Sequence, residues 1–366
     1  MTILIFIAVL LLLIIGHEFG HFIAAKRAGM RVDEFGIGFP PKAFGRRFGN
    51  GETEYSVNWL PFGGFVKIFG EDAENSTAAD PRAFSNKPAV AQAAVLFAGP
   101  FMNVVLAFVL SAAAFTVGTV AVIDETNAQY LSDEPRTLVG GVLSESPAEA
   151  AGVRAGDEIR AVSNGTDTFV NIHPEELARR ISEAPGAVVL TLVRDGETLQ
   201  TEATPVPGLV ADEPERRAIG IATALVGGVT YPPHVALWKG LEDTAGDFVF
   251  VLGALGALVA DSVTFSADVS NLAGPVGIAT LTGEAASFGL GSLLSFAALL
   301  SINLAIINLL PFPALDGGRL LFLGIETVSR RRIPSGVAQA VNAGGFAVLI
   351  LLMIVVTVGD VARLLG

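Results

Sequence analysis

The chain has 366 residues, 51% of them hydrophobic and 16% charged, with a mean hydropathy of +0.58. Soluble domains carry about 25% charged residues, so this composition argues against an ordinary soluble protein and for a membrane protein. There is no Cys, which removes disulfides and thiolate metal sites, and the net charge of −13 argues against a nucleic-acid partner.

In chain order, the first predicted element is an apolar run over Thr2–Ala25, interrupted by His17, Glu18 and His21. It lacks the basic start of a secretory signal and reads as a retained transmembrane helix. A basic loop follows (Lys26, Arg27, Arg31, Arg46, Arg47 and Lys67 within 26–87), then a second span over Val90–Val122 containing Gly99-Pro100 and Asn103. Within the loop, Tyr55–Leu60 and Gly64–Ile68 flank Pro61-Phe62-Gly63 and predict a hairpin. Its Trp59, Phe62 and Phe65 suit a membrane interface.

Residues 138–205 read as an α/β module with strands near Val139–Leu143, Ile159–Val162, Val188–Arg194 and Thr198–Ala203. A helix is expected over Pro174–Ser182 and a hairpin turn at Asp195-Gly196. A linker, 206–289, contains an interfacial or packed helix over 241–263, because the apolar stretch Phe248–Ala260 is short for a span and follows Glu242, Asp243 and Asp247. Leu290–Phe312 and Val337–Val358 are the third and fourth spans, separated by Arg330-Arg331-Arg332. The expected fold is therefore a polytopic α-helical membrane protein of about four transmembrane helices. It has a membrane region over 1–123, with a cytoplasmic-side β-loop over 35–70, and a second membrane region over 290–366. The positive-inside rule puts both termini and the acidic α/β module outside the cytoplasm.

His17-Glu18-Phe19-Gly20-His21 is the strongest chemical signal. On a helix, positions i and i+4 share a face, so two imidazoles can meet one zinc ion, with Glu18 placed to take a proton from bound water. Ionisable groups at membrane depth cost on the order of 3 kcal/mol and usually serve a function. A hydrogen-bonded core histidine is the rival reading for either residue alone. Asp316 is the expected third ligand, because the broken segment Pro311–Gly318 places it near the cytoplasmic end of its span, as His17 and His21 are of theirs. Helix capping in the same turn is the rival there.

These motifs resemble the site-2 protease family, in particular the bacterial regulator-of-sigma-E protease type. His17 to His21 fits its first motif, and Asn308 to Gly317 fits its N-x-x-P-x-P-x-L-D-G motif. Gly36–Phe39 with Leu60–Lys67 resembles its membrane-associated β-loop. Ala98-Gly99-Pro100 with Asn103, and Gly274–Ala279, resemble the segments at its second and third spans.

The resemblance implies one Zn2+ bound by His17, His21 and Asp316, with Glu18 as catalytic base. It implies cleavage of single-span membrane proteins, anti-sigma-factor-like substrates or remnant signal peptides, in the inner membrane. It further implies that Asn308 and Asn303 contact the substrate backbone.

The α/β module resembles a single PDZ domain of the bacterial protease type, on Ser146-Pro147-Ala148 and Ala151–Asp157. Val139-Gly140-Gly141-Val142 is then the expected place for a peptide C-terminus or an added strand. The bland alternative is a spacer domain. In the β-loop, Gly63, Gly64, Phe65 and Val66 are expected to hold the substrate extended by strand addition. Two other readings stand beside the protease: a membrane metal transporter using the same ligands, and a non-enzymatic PDZ-bearing scaffold.

Overall fold

The computed structural model describes residues 1–48, 51–71, 80–165, 167–194, 196–210, 213–263 and 273–365. The expected turn residue Asp195 and the side chain of Phe62 lie outside the described set.

In chain order the elements are α1 (Thr2–Arg27), β1 (Val32–Arg47), β2 (Glu54–Ile68), α2 (Ala89–Val117), β3 (Thr119–Val122) and β4 (Arg136–Val142). Then come α3 (Pro147–Ala150), β5 (Glu158–Ser163), β6 (Thr168–Val170), α4 (Pro174–Glu183), β7 (Val188–Arg194), β8 (Glu197–Ala203) and β9 (Ile221–Val229). The chain closes with α5 (Pro233–Val263), α6 (Pro275–Ser287), α7 (Leu290–Leu309), α8 (Asp316–Ser329) and α9 (Ser335–Leu365). Two compact units result, Met1–Thr116 with Pro232–Gly366, and Val117–Tyr231.

Among the described residues of the first unit, four helices are long and apolar enough to cross a membrane: Thr2–Arg27, Ala89–Val117, Leu290–Leu309 and Ser335–Arg363. They match the four expected spans in place. The second span is shorter than expected, because the helix ends at Val117 and Thr119–Val122 forms β3. The turn is made at Gly118, whose φ of +106° suits glycine. Lys26 and Arg27 close α1, where cations complement the carbonyl end of a helix. Val9 and Leu13 of α1, Ala107 and Leu110 of α2, Val251 of α5, and Ala297, Ala298, Ile302 and Ile306 of α7 share one apolar core. The stretch expected to be interfacial or packed therefore belongs to a 31-residue helix whose Val251 is packed among the spanning helices.

The expected hairpin about Pro61–Gly63 is corrected. β2 runs through these residues, and its two halves do not pair with each other. Phe35 of β1 stands opposite both Tyr55 and Val66, and Ile37 opposite both Val57 and Gly64. The first half of β1 thus lies between the halves of β2, while Lys42–Arg47 pairs back on Glu54–Asn58. Gly64–Lys67 becomes an edge: β1 borders it on one side, and no strand borders it on the other among the described residues.

The second unit is a seven-stranded sheet with the path β3-β9-β4-β5-β7-β8 and β6 beside β5. Its core is formed by Val139, Ile159, Val162, Leu177, Ile181, Leu190, Leu192 and Ile219. The unit is wider than 138–205, because β3 and β9 complete the sheet: Thr119–Val122 pairs with Val226–Val229, and Arg136–Val142 pairs with Ile221–Val226. Strands β4, β5, β7 and β8 and helix α4 fall where the sequence places them. Asp157, fully buried, takes two hydrogen bonds from the Arg194 guanidinium at 2.7 Å and one from the Arg154 N–H at 2.8 Å.

Candidate metal centre

The metal centre depends on how closely α1 and α2 approach. A Cβ at Gly20 would lie 2.2 Å from the Ala98 carbonyl oxygen, and one at Gly16 would lie 2.8 Å from Leu106. Across the contact, a Cβ at Gly99 would lie 2.2 Å from Nε2 of His21. Glycine at these three positions lets the α2 backbone reach the imidazoles. Pro100 inside α2 lacks an N–H and disturbs the local ladder. One turn earlier, the Val95 carbonyl accepts a hydrogen bond from His21 Nδ1 at 2.8 Å. With the proton on Nδ1, Nε2 of His21 is a bare lone pair.

The third arm arrives from α8. After α7, the segment Leu310–Leu315 turns through Pro311 and Pro313, with Ala314 at a φ of +74°. Gly317 and Gly318 pack on this turn so tightly that a Cβ would meet the carbonyl oxygens of Leu310 and Phe312 at 2.2 Å. Asp316 is the first residue of α8; the N-cap is Leu315, which makes no side-chain cap bond. The capping rival is thereby removed. The carboxylate turns instead to the histidines, with Oδ2 at 3.0 Å from His17 Nε2 and 3.2 Å from His21 Nε2, and the two Nε2 atoms are 3.2 Å apart.

These distances test whether a metal fits. Three lone-pair atoms that face one another at 3.0–3.2 Å repel unless a cation lies between them. One proton can serve one pair, but not three. A tetrahedral zinc with bonds of about 2.0–2.1 Å sets its ligand atoms about 3.3 Å apart. Two imidazoles and a carboxylate oxygen are also the donor types zinc takes, and they leave a fourth position open, as catalytic sites do. The residues present fit the ion.

Glu18 lies half-buried beside the triad, and its Cγ would meet a Cβ on Gly64 at 3.2 Å. A cavity of about 1030 Å³ joins His17, Glu18, His21 and Asp316 to Gly64, Phe65, Val66 and Asn308. The free edge of β2 and one of the two asparagines therefore share a chamber with the metal ligands. Gly63, at a φ of +112°, sits under the Phe39 ring and makes the bend that starts this edge. Asn303 is placed differently: its side-chain amide donates to the Leu299 carbonyl of its own helix at 2.9 Å, and it is not among the cavity residues.

One polar residue given no role in the sequence reading also reaches the centre. Asn103, fully buried on α2, has its amide nitrogen 3.4 Å from His17 Nδ1. Its signal in the sequence is an amide side chain four residues after Gly99 in an otherwise apolar span, where such groups seek a partner.

In the second unit, the expected peptide position Val139–Val142 falls on β4. β4 is an inner strand: Val139, Gly141 and Val142 pair with Thr223, Ala222 and Ile221 of β9, and Val139 also receives Gly156 N–H and donates to the Asp157 carbonyl. On the other side β5 pairs with β4 at Thr137 and Leu138. Among the described residues β9 is open over Ile221–Ala224 on the side away from β4, since β3 pairs only with Val226–Val229. A small cavity of about 130 Å³ lies beside it, lined by Leu177, Ile181, Ile219, Ile221 and Thr223.

The chain matches the family model described as peptidase family M50 over residues 5–352. A Clostridium perfringens protein provisionally named a zinc metalloprotease is 36% identical over 351 residues, 95% of each chain. The zinc metalloprotease RasP of Shouchella clausii is 30% identical over 441 residues, covering 99% of each chain. RasP of Oceanobacillus iheyensis is 30% identical over 455 residues, again 99% of each. With the match running through both arms of the His17, His21 and Asp316 triad, the chain belongs to peptidase family M50, the site-2 proteases, a family of zinc-dependent metalloendopeptidases.

Proposed function

We propose that this chain cleaves single-span membrane proteins within the bilayer, with His17, His21 and Asp316 as zinc ligands and Glu18 as catalytic base. The observation that carries the reading is the convergence of three ligand atoms at 3.0–3.2 Å on helices apolar enough to span a membrane, in one cavity with a carboxylate and a free strand edge. His17, His21 and Asp316 would hold the zinc, which when bound would supply Lewis acidity toward the scissile carbonyl and the attacking water. Glu18 takes the water proton and delivers it to the departing amine. A helical substrate hides its carbonyls in its own hydrogen bonds, so it must open to react. The edge at Gly64–Val66 receives the opened segment as an added strand, which needs little side-chain sequence. Asn308, in the same cavity, hydrogen-bonds the substrate backbone.

Anti-sigma-factor-like proteins and remnant signal peptides are the substrate classes this reading favours. The location is the inner membrane, with both termini and the α/β unit on the extracytoplasmic side. That unit reads as PDZ-like, and the β9 edge beside Leu177 and Ile181 is where it takes a peptide terminus.

The test uses full-length protein in proteoliposomes with a single-span reporter. Glu18→Gln retains zinc and loses cleavage, with a fall on the order of 10²–10⁴ for loss of a general base. Ordinary turnover in that variant refutes the base assignment. A wild-type protein that carries zinc across the bilayer without cutting the reporter supports the transporter instead.

A further inference from the structure

The two histidines of the centre are not held alike. His21 is fixed by a backbone carbonyl, since its Nδ1 donates to Val95 O at 2.8 Å and Nε2 is left for the metal. His17 needs the same tautomer to ligate through Nε2, and its Nδ1 must then donate. The neighbour it has is the Asn103 carboxamide, with Nδ2 at 3.4 Å. Two N–H groups cannot face each other in that way. Meanwhile Oδ1 of Asn103 is buried without a hydrogen-bond partner, at a site where an orphaned acceptor costs about 1–3 kcal/mol. Half a turn of the amide about its Cβ–Cγ bond brings Oδ1 to His17 Nδ1 and fills its acceptor, with the amide NH2 moving to the position Oδ1 held. The opposite orientation serves the opposite tautomer, with an N–H on Nε2 aimed at Asp316, which would shut His17 out of the ligand set.

The rest of the residue is held in place. The Ser301 hydroxyl of α7 donates to the Asn103 backbone carbonyl at 2.8 Å, and both residues are fully buried. The amide is therefore free to turn on an anchored backbone. We propose that Asn103 is the positioning residue of His17, its carboxamide oxygen accepting the Nδ1–H and so selecting the tautomer that presents Nε2 to the metal. The inference rests on the metal-site reading above. It adds that the zinc affinity of this chain is set partly from α2, a helix that contributes no ligand.

The experiment is metal binding by the full-length protein in detergent micelles, read by chelator competition for zinc and by the ligand-field spectrum after cobalt substitution. Asn103→Leu keeps the volume and removes the acceptor; Asn103→Asp keeps an acceptor. Ser301→Ala is the control that leaves the amide in place. We expect Asn103→Leu to bind zinc 10–100-fold more weakly, as loss of a partner behind a metal-bound histidine does, with shifted cobalt bands. Asn103→Asp should stay within about threefold of wild type, and Ser301→Ala likewise. Wild-type affinity in Asn103→Leu, or equal weakening in Asn103→Leu and Asn103→Asp, overturns the proposal.

If Asn103→Leu does not fold, nitrogen-15 magnetic resonance of the zinc-loaded wild type decides. A His17 Nδ1–H bonded to the Asn103 carbonyl supports the assignment, and a His17 ligating through Nδ1 ends it. Wild-type protein that holds no zinc sinks the metal-site reading together with this one, whereas zinc binding indifferent to Asn103 sinks this one alone.

Discussion

Each unit of the molecule encloses an aspartate, Asp157 completely and Asp316 for the most part, and the two are treated in opposite ways. Asp157, in the sheet unit, meets a full guanidinium: Arg194 donates to both carboxylate oxygens at 2.7 Å, and the Arg154 N–H adds a third bond. Its charge is balanced by the chain itself. Asp316, among the apolar helices, meets two imidazole nitrogens and, among the described residues, no Lys or Arg. A neutral imidazole whose lone pair faces a carboxylate offers it no counter-charge, which a cation held between the three atoms would supply. The first arrangement is a finished structural pair, and the second has the donor set of a cation site. A buried carboxylate surrounded by other lone pairs thus says more about function than burial or charge alone.

Substitution at the two carboxylates separates the readings most strongly. Asp316→Ala should lose the metal and, with it, activity by a factor on the order of 10⁴ or more, with the helices still folded. Zinc stoichiometry and reporter cleavage on the same sample check this, and full zinc occupancy would remove Asp316 from the ligand set. A glycine pair makes a milder comparison. Gly99→Ala drives a methyl to 2.2 Å from His21 Nε2, whose ring is tied to Val95, so the ring must leave its ligating position. We expect zinc retention to fall at least about tenfold, in proportion to disturbed metal ligation. Gly140→Ala in the sheet unit meets nothing closer than 3.7 Å and should leave both metal and fold unchanged. Equal metal content in the two variants would mean that the α1–α2 approach is not what sets the site.

The His17–His21 pair and the four long apolar helices were legible because their signals are local. Two histidines at i and i+4 need only a helix, and a run of apolar residues needs only its own length. What was hidden depends on partners far along the chain. Ile221–Val229 carries Gly227 and Gly228 and has weak strand character by itself; it becomes β9 because β3 and β4 border it. Pro61–Gly63 looks like a hairpin turn until Val32–Ile37 enters between the two flanking segments, which no short-range pattern announces. Phe248–Ala260 is short as a span, yet it extends an existing helix and buries Val251 against three others. Asn103 reads as an ordinary polar interruption until His17 Nδ1 is seen beside it.

The smaller effects fall in the sheet unit, where they show how far its carboxylate differs from Asp316. Asp157→Ala leaves the Arg194 guanidinium without its carboxylate. Breaking a buried pair from one side costs about 3–5 kcal/mol; with Arg194 partly exposed, the lower end, about 3 kcal/mol, is expected. Hydrogen exchange in β5 and β7 of the full-length protein should rise accordingly, while zinc content does not change. The same pair predicts a pH response. Burial pushes the Asp157 carboxyl up, but the Arg194 hydrogen bonds and the Arg154 N–H outweigh burial and hold it below the ordinary carboxylate value of 3.8. A depressed folded value means that the unfolded chain takes up its proton first as pH falls. The contribution of the pair is therefore complete above about pH 4–5 and fades as pH drops through 3.8 toward the lower folded value. Asp157→Asn should flatten this acid limb in exchange measurements on β5 and β7, leaving the neutral-pH difference in place. An acid limb unaltered by Asp157→Asn would assign it to other carboxylates and reduce Arg194–Asp157 to a pair without linkage.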